Sequence, residues 1–201
     1  MTVVWCATSN TGKLREFRLA ASDVCQIQPL PGLANIPSPE ETGHTFEENA
    51  IIKATAYGAH TRGLLFAEDS GLEVDALNGE PGIYSARYSP EGTDEANNQR
   101  LLDSLAHTPA PRTARYVCLI ALVKDGRLLK TFRGTVEGEI LTERHGRNGF
   151  GYDPIFYYPP FHCTFGEAEK ERKQAVSHRG AALRQLLDYL LSNHCHSLDA
   201  Q

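Results

Sequence analysis

The first hydrophobic positions of the chain predict a strand, a polar loop and a helix, in that order. Residues 3–7 form a continuous apolar run, which is typical of a strand buried on both faces. The polar segment 8–12 interrupts this run, and Leu14, Phe17 and Ala21 then recur at helical spacing. The chain therefore begins with a unit that is common in α/β proteins.

A second helix follows a proline-rich connection, and a capping box marks its start. Thr45 and Glu48 have the T-x-x-E spacing in which each side chain can bond the backbone amide of the other. Two strands, 64–67 and 72–77, are expected next, because Asp and Gly in the intervening segment 68–71 (EDSG) are poor strand residues. Taken alone, this acidic segment is best interpreted as a polar turn.

The second half of the chain predicts an antiparallel hairpin, a glycine-rich loop and a last helix. Two strand-like runs, 113–123 and 127–137, meet at Asp125-Gly126, which is a strong hairpin signal. The loop 146–153 (GRNGFGYD) precedes another short strand, and Ser177 can cap the final helix. The order of elements predicts the α/β class, with a mixed sheet flanked by helices.

Length and composition favour one intracellular domain. A chain of 201 residues with 41% hydrophobic residues can bury a core, so we expect a single domain over 1–201 with a disordered tail after about residue 192. Five scattered cysteines without a C-x-x-C pair indicate neither a disulfide framework nor a zinc site. The first apolar run is too short for a signal peptide or a membrane span, which favours the cytoplasm. A formal net charge of -5 offers no polybasic field for nucleic acid or anionic membranes.

The loop before the first helix has the character of an anion site. Amides at a helix start attract anions, and Lys13 adds a positive charge. The segment is not a P-loop, because Ala7 stands at the first glycine of G-x-x-x-x-G-K-[ST] and Leu14 at its last, hydroxyl-bearing position. An ordinary strand-to-helix turn with a solvated lysine explains this segment equally well.

Carboxylates from two segments could hold a divalent cation. Asp69 follows an apolar run, and Glu40 and Glu41 end the proline-rich connection, so all three offer the hard oxygen ligands that Mg²⁺ prefers. Taken separately, the two glutamates are better explained as a solvated pair or as charges near a helix start. Lys53, beside the apolar stripe of the second helix, is explained as a surface lysine.

Two C-terminal segments could recognise an aromatic base. The glycines on both sides of Phe150 let its ring project from the chain, and a projecting ring can stack on a base. His178 and Arg179 follow Ser177 at the start of the last helix, where both could hydrogen-bond a ligand. A capped helix start with exposed polar residues is a slightly better explanation of that segment alone.

Taken together, five segments resemble a single family. They are TSNTGK at 8–13, EETGHTFEENAIIKA at 40–54, DSGLEVDALNGEPGIYSARY at 69–88, GFGYDPIF at 149–156 and SHRG at 177–180. Their order matches the inosine triphosphatase-like pyrophosphatases, which act on non-standard purine nucleoside triphosphates, and it is far more specific than any one motif. The resemblance implies an elongated mixed α/β fold of two lobes with a central cleft, and a homodimer.

The resemblance also implies a role for each motif residue. Glu41 and Asp69 would hold Mg²⁺, and Asp69 would accept the proton of the attacking water. The family often has two adjacent aspartates where this chain has Glu68 and Asp69, so a metal role for Glu68 is open. The triphosphate would contact Thr8, Ser9, Asn10, Thr11, Gly12, Lys13, Lys53, Ser70 and Lys173. The purine would stack on Phe150 and be framed by Gly151, Tyr152, Asp153, His178 and Arg179.

The sequence therefore predicts Mg²⁺-dependent hydrolysis of ITP, dITP and XTP to the monophosphate and pyrophosphate. We expect a cytoplasmic homodimer that binds purine nucleoside triphosphates and neither nucleic acid nor membranes. One alternative is a nucleotide-binding regulatory protein without turnover. Another is a Maf-type pyrophosphatase acting on pyrimidine triphosphates, and the segments GFGYD and SHRG argue against it.

Overall fold

The computed structural model describes residues 2–21 and 24–195, with the backbone only for residues 194 and 195. Within these residues, seven strands form one sheet in the order β2-β1-β3-β4-β5-β6-β7. β1 pairs in parallel with β2 and β3, whereas β6 pairs antiparallel with β5 and β7. The predicted mixed sheet is thus confirmed. The strands are β1 (Val3–Cys6), β2 (Gln26–Pro29), β3 (Leu64–Val74), β4 (Thr113–Lys124), β5 (Arg127–Ile140), β6 (Phe156–Tyr158) and β7 (Cys163–Thr164).

The helices flank the sheet. The capping box predicted for the second helix forms, but one of its two hydrogen bonds uses a neighbouring amide. The Glu48 amide donates to Thr45 Oγ1 at 3.1 Å, as predicted, but the Glu48 carboxylate accepts from the amide of His44 at 2.6 Å. Short 3-10 turns connect several elements. The helices are α1 (Thr11–Ala21), α2 (Phe46–Gly58), α3 (Asp94–Ser104), α4 (Lys170–Val176) and α5 (His178–Cys195).

The prediction of two strands separated by a polar turn at 68–71 is wrong. β3 runs without a break through the acidic segment, and a 3-10 turn, Asp75–Leu77, replaces the end of the second predicted strand. Sheet pairing on both sides of β3 outweighs the poor strand propensity of Asp and Gly. Glu68 is tolerated inside the strand because its buried carboxylate forms an ion pair with Lys13.

The predicted tight turn at Asp125-Gly126 is confirmed by its backbone angles, and Asn78-Gly79 has the same pattern. Asn78 and Gly79 have φ of 53° and 92°, and Asp125 and Gly126 have φ of 50° and 76°. Two successive positive φ values are typical of the turn that joins antiparallel strands. Asp125-Gly126 accordingly links β4 to β5.

The chain divides into two compact units, of which the first comprises Met1–Asp69, Cys118–Gly134 and Arg179–Gln201. Its core joins apolar side chains of α1, α5 and the strands β1 to β5. The rings of Phe17 and Phe66 meet edge to face, with their centroids 5.1 Å apart. α5 continues to Cys195, beyond the point near residue 192 where the tail was predicted to begin, and residues 196–201 lie outside the described part of the chain.

The second unit comprises Ser70–Val117 and Thr135–His178. Its core is rich in aromatic side chains, and the ring of Tyr116 lies 4.6 Å from that of Phe156 and 6.2 Å from that of Phe165, centroid to centroid. β7 and α4 belong to this unit and were not predicted.

In the described part of the chain, no helix combines the length and the apolar character needed to cross a membrane. The central cleft stays a prediction.

Candidate active site

The residues singled out from the sequence fall into one group in each unit. In unit 1, the group consists of Thr8, Ser9, Asn10, Thr11, Gly12, Lys13, Glu41, Lys53, Asp69 and Arg179. In unit 2, it consists of Ser70, Phe150, Gly151, Tyr152, Asp153, Lys173 and His178.

In unit 1, the loop after β1 folds back on itself and ends at Lys13. The Asn10 amide donates to Thr8 Oγ1 at 3.2 Å, and the Lys13 amide donates to Asn10 Oδ1 at 3.0 Å. Asn10 thereby caps α1, since a side-chain oxygen satisfies an amide of the first helical turn. The ammonium group of Lys13 forms an ion pair with Glu68 in β3. The loop and the strand are thus joined by charge.

Both carboxylate oxygens of Glu68 are engaged by protein groups. Oε1 accepts from Lys13, and the Cys118 thiol donates to Oε2 at 3.8 Å. Burial would raise the pKa of Glu68, but the charges of Lys13 and Arg179 outweigh it and lower the pKa to about 2. Glu68 is therefore a fixed anion that holds Lys13, and a role as second metal ligand would require it to release these partners.

Asp69, the next residue of β3, forms a hydrogen bond through only one of its two carboxylate oxygens. Lys53 donates to Asp69 Oδ1 at 2.7 Å and lies 3.5 Å from Glu41 Oε1. Among the described residues, the buried Oδ2 of Asp69 has no hydrogen-bond partner. Burial raises the pKa of Asp69, and Lys53 offsets this only in part. A buried carboxylate oxygen without a donor is suited to bind a cation or to take a proton.

The carboxylates of Asp69 and Glu41 could supply some, but not all, of the ligands of a hard divalent cation. In the described part of the chain, no three His, Cys, Asp or Glu residues lie close enough together to form a metal cage. Asp69 Oδ2 and the half-buried Glu41 nevertheless offer oxygen ligands on either side of Lys53. A cation bound by one or two carboxylates takes its other ligands from water or phosphate, which is the usual pattern for Mg²⁺.

In unit 2, Asp153 organises the glycine-rich loop. Its Oδ1 accepts from the Tyr116 hydroxyl at 3.3 Å, its Oδ2 accepts from the Phe150 amide at 2.8 Å, and Lys173 forms an ion pair with it. The Lys173 ammonium also lies 5.1 Å from the centroid of the Phe150 ring, which is 38% exposed. The buried Asp153 thus serves the loop itself, and Phe150 presents its ring at the surface.

Two further residues of this group, His178 and Tyr152, differ in what their side chains contact. His178 is buried, and its ring stacks on Tyr116 with the centroids 4.9 Å apart. The Tyr152 hydroxyl donates to the backbone oxygen of Ser85 at 2.8 Å, and the side chain belongs to the core of this unit. The side chain of Tyr152 is therefore engaged within unit 2, and its contact with a ligand stays a prediction.

Sequence reasoning missed three groups that support these residues. Tyr116 and Cys118 lie in the apolar run of β4, which gave no sign that they contact Asp153 and Glu68. Asn98 of α3 donates to the backbone oxygen of Gly151 at 2.8 Å. In a helix with other polar residues, nothing distinguished this asparagine.

The chain is similar to known proteins over nearly its whole length. Residues 4–189 match the model of the Ham1 family. A protein from Acidobacterium capsulatum, named dITP/XTP pyrophosphatase, is 48% identical over 195 residues, which cover 92% of this chain and 96% of that protein. A protein of the same name from Staphylococcus epidermidis is 46% identical over 188 residues, covering 92% and 94%.

Solved structures give the same result. The Ham1 protein of Staphylococcus aureus superposes with a TM-score of 0.86 at 43% identity and covers 96% of this chain and 100% of its own. A dITP/XTP pyrophosphatase from Mycobacterium abscessus has a TM-score of 0.74 at 40% identity, with coverages of 92% and 99%. The chain therefore belongs to the Ham1 family.

Proposed function

We propose that the protein hydrolyses non-standard purine nucleoside triphosphates, such as dITP, ITP and XTP, to the monophosphate and pyrophosphate. The observation that carries the proposal is Asp69, a buried carboxylate held by Lys53 through one oxygen, with its other oxygen unpartnered among the described residues. The names of the relatives from Acidobacterium capsulatum and Staphylococcus epidermidis give the same activity.

Asp69 acts as the general base in this reaction. Its Oδ2 accepts a proton from the water that attacks phosphorus, while Lys53 fixes the carboxylate through Oδ1. No covalent nucleophile is needed, because the water itself attacks.

The loop 8–13 binds the phosphates. Its amides at the start of α1 attract anions, and Lys13 supplies a positive charge whose position is set by Glu68. Glu41 and Asp69 would hold Mg²⁺, which supplies charge neutralisation on the phosphate oxygens when it is bound. Lys53 lies between these two carboxylates and limits the repulsion between them.

Base recognition falls to the residues of the glycine-rich loop and the start of α5. The exposed ring of Phe150 stacks on the purine. His178 and Arg179 offer donors to the carbonyl at C6, which distinguishes hypoxanthine and xanthine from adenine. The family resemblance also supports a homodimer, which size-exclusion chromatography with light scattering would test.

Product analysis of ITP hydrolysis tests the proposal directly. With Mg²⁺, the expected products are IMP and pyrophosphate, and turnover of ATP and dTTP should be much slower. Tight binding of ITP without pyrophosphate would favour a regulatory protein, and preferred turnover of dTTP would favour a Maf-type enzyme. Release of orthophosphate as the first product would contradict the proposal.

Glu68→Gln should weaken substrate binding more than it slows catalysis. Without the negative charge, Lys13 loses the ion pair that holds it beside the phosphate loop. We expect the KM for ITP to rise roughly tenfold, which corresponds to the loss of one charged hydrogen bond. Glu73→Gln, a charge change five residues along the same strand, is the control. Equal KM values for the two variants would show that Glu68 does not position Lys13.

A further inference from the structure

We infer that α3 positions the base-stacking loop, because Asp94 and Asn98 together hold the backbone of Gly151 next to Phe150. The inference rests on the proposed function, in which the Phe150 ring stacks on the purine. It concerns residues that do not touch the substrate and that act through the loop.

The contact uses both polar backbone groups of one residue. The Gly151 amide donates to Asp94 Oδ2 at 2.6 Å, and Asn98 Nδ2 donates to the Gly151 oxygen at 2.8 Å. Asn98 Nδ2 also donates to the backbone oxygen of Asp94 at 2.6 Å. Asp94 and Asn98 are four residues apart in α3, so their side chains lie on the same face. The first turns of the helix thus bind Gly151 from two sides.

The burial of Asn98 needs an explanation, and the loop provides one. Asn98 is polar, yet only 2% of it is exposed. It lies one helical turn from Leu101, which belongs to the apolar core of unit 2. Burying an amide is unfavourable unless it forms hydrogen bonds, and an apolar residue would avoid this cost. The amino group of Asn98 meets this condition by donating to the backbone oxygens of Gly151 and Asp94, whereas its Oδ1 has no hydrogen-bond partner among the described residues.

Phe150 lies between two anchored points of the chain. Its own amide donates to Asp153 Oδ2 at 2.8 Å, and the residue after it is held by α3. The flanking Gly149 and Gly151 have φ of 78° and 62°, and two glycines would otherwise give this segment wide conformational freedom. Fixing the backbone before the ligand arrives removes an entropic cost from binding. α3 therefore contributes to affinity for the base.

Asp94→Ala tests the inference, since Asp94 is exposed and its loss should not disturb the core. The expected result is a rise of roughly five- to tenfold in the KM for ITP, with kcat changed less than about twofold. Asp94→Asn keeps an oxygen that can accept from the Gly151 amide and should restore most of the affinity. Glu95→Ala removes another acidic side chain from the same helical turn and should leave KM unchanged.

Two further measurements separate positioning from a general loss of stability. Hydrogen exchange of the Gly151 amide should accelerate in Asp94→Ala and not in Glu95→Ala. In a Phe150→Ala background, Asp94→Ala should add little, because both changes remove the same contact with the base. An unchanged Gly151 exchange rate, equal KM changes in Asp94→Ala and Glu95→Ala, or additive effects in the double variant would overturn the inference. If the wild-type protein released no pyrophosphate from ITP, the proposed function would be wrong, and the exchange rates alone would still decide whether α3 holds the loop.

Discussion

Asp69→Asn should remove most of the turnover of ITP and leave nucleotide binding largely intact. The amide cannot accept the proton of the attacking water, although it occupies the same space beside Lys53. Loss of a general base reduces the rate by roughly 10²- to 10⁴-fold, and we expect kcat to fall within this range. Steady-state kinetics with Mg²⁺ measure kcat, and calorimetric titration with ITP measures binding.

Asp103→Asn is the control for this variant. Asp103 is an exposed aspartate on α3 whose side chain accepts a hydrogen bond from Gln99, so its change tests the effect of losing one negative charge. It should leave kcat unchanged. A kcat for Asp69→Asn close to that of Asp103→Asn would remove Asp69 from the role of base.

Gly146→Ala should strongly lower the free energy of unfolding. A Cβ at residue 146 would lie 2.0 Å from the backbone oxygen of Gly166, and φ is +78°. Neighbouring hydrogen bonds, from the Asn148 amide to Gly166 O at 2.8 Å and from the His145 amide to Pro154 O at 2.8 Å, oppose a local shift. The left-handed backbone costs about 1–2 kcal/mol and the overlap about 1–3 kcal/mol, so the free energy of unfolding should fall by about 2–5 kcal/mol.

Gly79→Ala separates the cost of the left-handed backbone from the cost of the steric overlap. Gly79 also has a positive φ, of +92°, but a Cβ there would have no atom within 4 Å. Only the backbone cost of about 1–2 kcal/mol is expected. Urea unfolding curves of the two variants give the comparison. A difference below about 1 kcal/mol would mean that the chain around Gly146 relaxes without cost.

Features that depend on neighbouring residues could be predicted from the sequence. The hairpin at Asp125-Gly126 was confirmed, because its turn is set by the backbone preferences of these two residues. Of the two hydrogen bonds of the capping box, the one from the Glu48 amide to Thr45 Oγ1 was confirmed. The Glu48 carboxylate accepts from the amide of His44 and not from that of Thr45, one residue further along.

Features that depend on distant partners could not be predicted. The acidic segment of β3 has the composition of a turn, and it is a strand because it continues a strand of the sheet and because Lys13, 55 residues away, neutralises Glu68. The same reason explains why Asp94 and Asn98 were missed, since Gly151 lies more than 50 residues further along the chain. The family was recognised from the motif residues as a set, whereas the contacts that support these residues could be seen only in the structure.

The carboxylate that holds Lys13 also affects the chemistry of two thiols. Burial, reinforced by the negative charge of Glu68, raises the pKa values of Cys6 and Cys118, so very little of the reactive thiolate forms while unit 1 is folded. Cys163 of unit 2 is only half-buried. A thiol-specific reagent, read peptide by peptide, would therefore modify Cys163 in the native protein and reach Cys6 and Cys118 only when unit 1 opens. The reactivity of these two thiols thus reports local unfolding around Glu68, the residue that forms the ion pair with Lys13.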